Sequence, residues 1–155
     1  MTQRLDELTF KTVVASTPLV SMDLIVRNKR DQVLLGLRTN RPAQGFWFVP
    51  GGRICKDETF EQAFVRLTEI ELGQPITLSQ ARFLGPYQHL YDDNFFGTQF
   101  STHYVVLGYQ IDCDIELDTL PAEQHQHYRW WDVEELLSSE LVHPNTKAYF
   151  SDNYK

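Results

Sequence analysis

Cysteine is scarce in this chain of 155 residues: Cys55 and Cys113 stand far apart, with no CxxC or Cys/His spacing around them. That argues against a disulfide framework and a zinc centre, and suits a reducing compartment. Positive charge is also short. Fourteen basic residues against 21 acidic ones leave a net charge of −7, the wrong sign for nucleic acid or an anionic membrane as the main partner. No window approaches about 18 uninterrupted apolar residues, and the N-terminus lacks an apolar targeting core. Neither a membrane span nor secretion is expected, and a cytoplasmic location is. Internal repeats and low-complexity tracts are lacking too. Aromatic residues are plentiful: ten Phe, seven Tyr and three Trp, ample for one substantial core in a single domain over residues 1–155.

The most organised stretch runs from residue 51 to residue 73. Gly51 and Gly52, after Pro50, predict a loop able to approach a ligand closely. Asp57 and Thr59 offer N-cap oxygens, Gln62 can close a capping box with Thr59, and Gly73 is a suitable stop. At about 100° per residue, Phe60, Ala63, Phe64 and Leu67 share one stripe, predicted to face the core. Glu71 lies within roughly 20° of that stripe, where a carboxylate is costly unless it is paired or holds a metal.

Around this helix the chain reads as strands, with helix at both ends. Residues 3 to 15 form an amphipathic helix through Leu5, Leu8, Thr12 and Val13. Val20 to Arg27 and Val33 to Arg38 are strands joined by a polar turn, and Asp23 is a carboxylate in an otherwise apolar run. Trp47 to Val49 is a short strand, Ile76 to Leu78 and Arg82 to Tyr87 are extended, and Tyr91 to Thr98 is a loop. Thr102 to Ile111 and Tyr128 to Trp131 are the last strands. Asp132 caps a helix through Leu137, and Asn145 caps another through Phe150. The pattern predicts an α/β (α+β) fold, a mixed sheet flanked by helices.

The spacing Gly52, five residues, Glu58, seven, Arg66, four, Glu71, one, Gly73 resembles the signature of the Nudix hydrolases. Leu67 and Ile70 stand where that signature has two further glutamates. Several other motifs resemble one branch with that departure, the GDP-mannose mannosyl hydrolases: Ser16 to Ser21, Thr39 to Gly45, Trp47 to Arg53, and Tyr91-Asp92-Asp93-Asn94. The resemblance covers nearly the whole chain and implies a Nudix α/β/α sandwich.

It also implies a chemistry. Mg²⁺, or Mn²⁺, would bind Glu71, the Gly51 carbonyl and Gln124, with phosphates and waters completing its shell. His125 would be the general base that takes a proton from water. Arg38, Arg53 and Arg66 match phosphate-contacting or catalytic residues, with Tyr104 and Tyr91 as phenol donors. His89 matches a contact to the nucleotide diphosphate and Asp23 a contact to the sugar. Water would attack the anomeric carbon with inversion, releasing GDP and free sugar from GDP-mannose, with GDP-glucose a second substrate. A homodimer is implied.

Plainer roles stand beside these. Glu71 and Arg66 suit structural ion pairs, the tyrosines suit core packing, and His103, His127 and His143 read as structural or exposed. Two other functions are also compatible. One is an ordinary Nudix pyrophosphohydrolase giving GMP and a sugar phosphate, and the other is a non-catalytic nucleotide-sugar-binding module. Aromatics near the N-terminus and in the 92–96 loop are candidates to stack on guanine.

Overall fold

The computed structural model describes residues 4–121 and 125–155, with the backbone alone at residues 125 and 126. In chain order the elements are α1 (Glu7–Ser16), β1 (Leu19–Arg27), β2 (Val33–Arg38), β3 (Trp47–Phe48) and β4 (Gly51–Arg53). Then follow α2 (Phe60–Leu72), β5 (Arg82–Tyr91), β6 (Thr102–Asp112), β7 (His125–Trp131), α3 (Val133–Ser138) and α4 (Pro144–Lys147).

One mixed sheet runs in the order β3-β2-β1-β6-β5, with β7 paired to β2 and β4 to β1. β1 and β6 are parallel at its centre, from Leu19 opposite Tyr104 to Arg27 opposite Asp112. The other edge of β1 is divided. Arg27 pairs with Val33 of β2, whereas Ser21, Met22 and Asp23 pair with Arg53, Gly52 and Gly51 of β4. Alternation along β1 feeds two cores. Leu24 and Val26 join Phe64, Leu67 and Leu72 beneath α2. Ile25 joins Leu35, Phe48, Trp131 and Leu136 on the opposite face, where α3 lies. This is the α/β/α arrangement expected from the sequence.

α2 follows its sequence signals closely. Thr59 and Gln62 form the capping box, and Gly73 adopts the left-handed conformation, φ 76°, that ends the helix. Phe60 departs from the predicted stripe, being 53% exposed as the first helical residue. Thr68 and Leu72 are buried in its stead.

Other expectations need correction. α1 begins at Glu7 behind an Asp6 cap, and it packs through Phe10 and Val14 rather than the Leu8 stripe. The predicted glycine loop is strand β4, because bonds to β1 rather than local propensity decide its conformation. Leu78 belongs to a 3₁₀ turn, and β5 runs four residues further than predicted, which places His89 inside a strand. At the C-terminal end His143, not Asn145, is the N-cap, and the helix is a single turn. β7 begins at His125, opposite Arg38 of β2, so that histidine opens a strand where a loop was expected.

Candidate functional site

Beside the end of β2 and the β1–β4 pairing lies a cavity of about 220 Å³. Its walls include seven residues singled out from the sequence: Asp23, Arg38, Gly51, Arg53, His89, Tyr91 and Tyr104. They arrive from five strands. A cavity of this size is smaller than a typical ligand pocket, so it suits the reacting part of a larger molecule. A larger open groove of about 720 Å³ at the β1–β2 turn contains none of the predicted residues.

Asp23 is the carboxylate at the centre of this arrangement, and only 6% exposed. Burial lifts its pKa to about 7, against the opposing effects of a hydrogen bond from Tyr149 and the nearby charge of Arg38. The Tyr149 hydroxyl donates to Oδ2 at 2.6 Å. His89 Nδ1 stands 4.0 Å from the same oxygen, beyond a hydrogen bond. Burial pushes His89 down to about 4, and its buried Nε2 has no hydrogen-bond partner. His89 is therefore a neutral imidazole near pH 7.

Two arginines supply the positive charge. Arg38 Nε donates to the Pro42 carbonyl at 2.9 Å, which anchors the guanidinium in the cavity wall. Arg53 lies against the ring of Phe10, 4.8 Å from its centroid. Phe10, which lines the cavity, in turn meets Phe96 edge to face at 5.9 Å, so aromatics from both expected regions meet each other. Tyr104 and Tyr91 are raised above ordinary phenols, chiefly by burial, and remain protonated donors.

Arg66 and Glu71 lie outside the cavity wall. Arg66 donates from Nε and Nη2 to the two Glu58 oxygens at 2.7 and 2.9 Å, and from Nη2 to the Arg53 carbonyl at 2.8 Å. It thus ties α2 to β4. Glu71 is 2% exposed, on the buried face of α2 as its spacing predicts. Its charge adds to the burial that raises Tyr128 to about 12.

Among the described residues no group of three or more His, Cys, Asp or Glu side chains converges as a metal cluster. A single buried carboxylate fits a hard cation only where phosphate and water oxygens complete the shell. Gln124 lies outside the described residues, as does the His125 side chain.

The glycines of β4 have separate tasks. A Cβ on Gly51 would come within 2.5 Å of the Met22 carbonyl and 2.6 Å of Asp23 Oδ1. One on Gly52 would lie 2.4 Å from Leu67 Cδ2, so a leucine fills the space at position 67.

Sequence reasoning missed one contributor. Tyr149 reaches Asp23 across 126 positions, and no local pattern signals it. His143 Nδ1 accepts from the Asn145 amide at 3.0 Å, and burial lowers its pKa to about 4. Expected to be structural or exposed, His143 is structural: it caps α4 and lies outside the cavity wall.

Comparison with known proteins agrees with the fold. The family model described as NUDIX domain matches residues 17–153. A relative from Haloferax volcanii, the low-salt glycan biosynthesis protein Agl8, is 35% identical over 151 residues, covering 96% of this chain and 90% of the relative. The MutT protein from Methanosarcina mazei Go1 superposes with a TM-score of 0.66 at 20% identity, covering 90% of this chain and 94% of that one. The MutT NUDIX hydrolase from Burkholderia pseudomallei gives 0.64 at 24% identity, covering 86% and 96%. These two structural likenesses speak to the fold.

Proposed function

The chain belongs to the NUDIX domain family, and from that premise we propose that it hydrolyses GDP-mannose, and GDP-glucose as a second substrate, to GDP and the free sugar. Water attacks the anomeric carbon with inversion. The observation that carries this reading is the composition of the cavity, where two arginines and phenol donors face one buried carboxylate. Such a site is equipped to stabilise a departing diphosphate and to hold a sugar whose C1 gains positive charge. The glycan biosynthesis named for the Haloferax volcanii relative supports a sugar-linked substrate.

In this reading Arg38 and Arg53 take up charge on the leaving diphosphate, with Tyr104 and Tyr91 donating hydrogen bonds beside them. Asp23 accepts from the sugar hydroxyls and, when ionised, stabilises positive charge at C1. His89 packs as a neutral group against the diphosphate. Arg66 acts from behind by holding the Arg53 carbonyl. His125 is the base: its backbone pairs with Arg38, at the cavity end of β2. NUDIX hydrolases generally use divalent metals such as Mg²⁺, and here Glu71, the Gly51 carbonyl and Gln124 would hold it, with Mn²⁺ as a substitute. When bound, the cation supplies Lewis-acid stabilisation of the diphosphate. Leu67, packed where a further glutamate would stand, fits a single cation. The chain acts as a single domain in a cytoplasmic homodimer.

The test is His125→Gln with GDP-mannose. Turnover is expected to fall about 100-fold or more, the usual scale for a general base, while calorimetry shows GDP-mannose binding retained. Unchanged turnover would remove His125 from the mechanism.

A further inference from the structure

In register across the sheet, Asp23 of β1 stands between two glycines, Gly51 of β4 and Gly108 of β6. Each leaves room for one side of the carboxylate. On the Gly51 side Oδ1 occupies the space a Cβ would need. On the Gly108 side the ring of Tyr149 fills that space, since a Cβ there would sit 2.8 Å from Tyr149 Cε1. From that seat the phenol reaches Oδ2 at 2.6 Å. Tyr149 is absent from the cavity wall, whereas Asp23 lines it. Its ring is held by Tyr87, 4.5 Å away between centroids, and faces His89 at 6.2 Å.

We propose that Tyr149 is a positioning residue for Asp23: its hydroxyl fixes Oδ2 from behind, so that Oδ1 is presented to the substrate cavity beside Gly51. The proposal rests on the nucleotide-sugar reading above for what Asp23 then meets. A buried carboxylate with one oxygen restrained has one orientation to offer the ligand. Without the restraint it is free to turn, and the carboxylate no longer stands ready for the transition state. The groups facing Asp23 are Tyr149 and His89, with Arg38 in the same cavity and near enough to act on its charge. His89 is too distant to take over the hydrogen bond.

Two variants break the contact by different routes. Tyr149→Phe removes the hydroxyl and keeps the ring, and Gly108→Ala displaces the ring. With GDP-mannose, each is expected to lower kcat by about tenfold, the scale of one hydrogen bond to a charged group, with KM within about twofold. In an Asp23→Asn background Tyr149→Phe should add no further loss, because the phenol acts only through the carboxylate. Tyr87→Phe, which removes a neighbouring hydroxyl but keeps the ring packed on Tyr149 and does not touch Asp23, keeps the parent kcat.

Wild-type kcat in Tyr149→Phe, or a full additional loss in the Asp23→Asn background, would overturn the proposal. A second readout needs no turnover. A downfield hydroxyl proton in the NMR spectrum, coupled to an Asp23 carboxylate ¹³C shift, is expected in the parent and lost in both Tyr149→Phe and Asp23→Asn. Its absence from the parent overturns the contact. Its presence in a chain that leaves GDP-mannose intact would refute the proposed substrate and uphold the positioning.

Discussion

Asp23 carries an unusual charge state for a carboxylate, and that has a cost for folding. Its ordinary pKa is 3.8, and in the fold it is raised to about 7 by burial. Between those values the folded chain keeps a proton that the unfolded chain has released, so this group's contribution to stability falls as pH rises from about 4 to 7. His89 and His143 have the opposite slope. Both drop from 6.5 to about 4, so the unfolded chain binds protons the folded one refuses, and stability falls as pH drops through that window. Asp23→Asn removes the first slope and leaves the second. Urea unfolding of parent and variant at pH 4 and pH 8 separates them. The variant's gain over the parent should be larger at pH 8 by more than about 1 kcal/mol. An equal difference at the two values would mean that Asp23 is ionised in the fold without penalty.

At the scale of elements, the decisive join is between α2 and β4. The three residues of β4 have few ladder bonds to β1, and Arg66 adds a tether through Glu58 and the Arg53 carbonyl. Arg66→Ala should therefore cost about 2 kcal/mol in chemical denaturation, through lost charged hydrogen bonds. A midpoint equal to the parent's would show that β4 is held by β1 alone. The same join explains what was legible beforehand. The ends of α2 are written in adjacent residues, Thr59 with Gln62 and then Gly73, and the sequence reads them directly. β2 was legible for the same reason, as an apolar run between turns. β4 was not. Two glycines carry no strand propensity, and only their register against Ser21 to Asp23 makes them a strand. Arg38, Arg53, His89, Tyr91, Tyr104, Asp23 and Gly51 were all named from the sequence, and the fold gathers them around one cavity. Tyr149 was invisible because its partner lies on a distant strand and its role depends on Gly108 being bare.

Over the whole molecule, an acidic chain presents a cationic pocket. The net charge of −7 repels polyanions at long range. In the proposed reading Arg38 and Arg53, which share the cavity wall with the buried Asp23, attract a compact diphosphate at short range. The divided edge of β1 makes this possible: β4 and the end of β2 bring the arginines to the cavity from different sides. Among the described residues no helix is long and apolar enough to cross a membrane. Under the proposed function the site's charge distribution favours one bond of a nucleotide sugar over another, with donors for the diphosphate and a buried carboxylate for the sugar. That claim is tested most directly by turning over GDP-mannose with Mg²⁺ in ¹⁸O-labelled water and identifying the products by mass spectrometry. Attack at carbon predicts unlabelled GDP and mannose carrying the label. GMP with mannose 1-phosphate, and the label on either phosphate, would contradict it and place the attack at phosphorus.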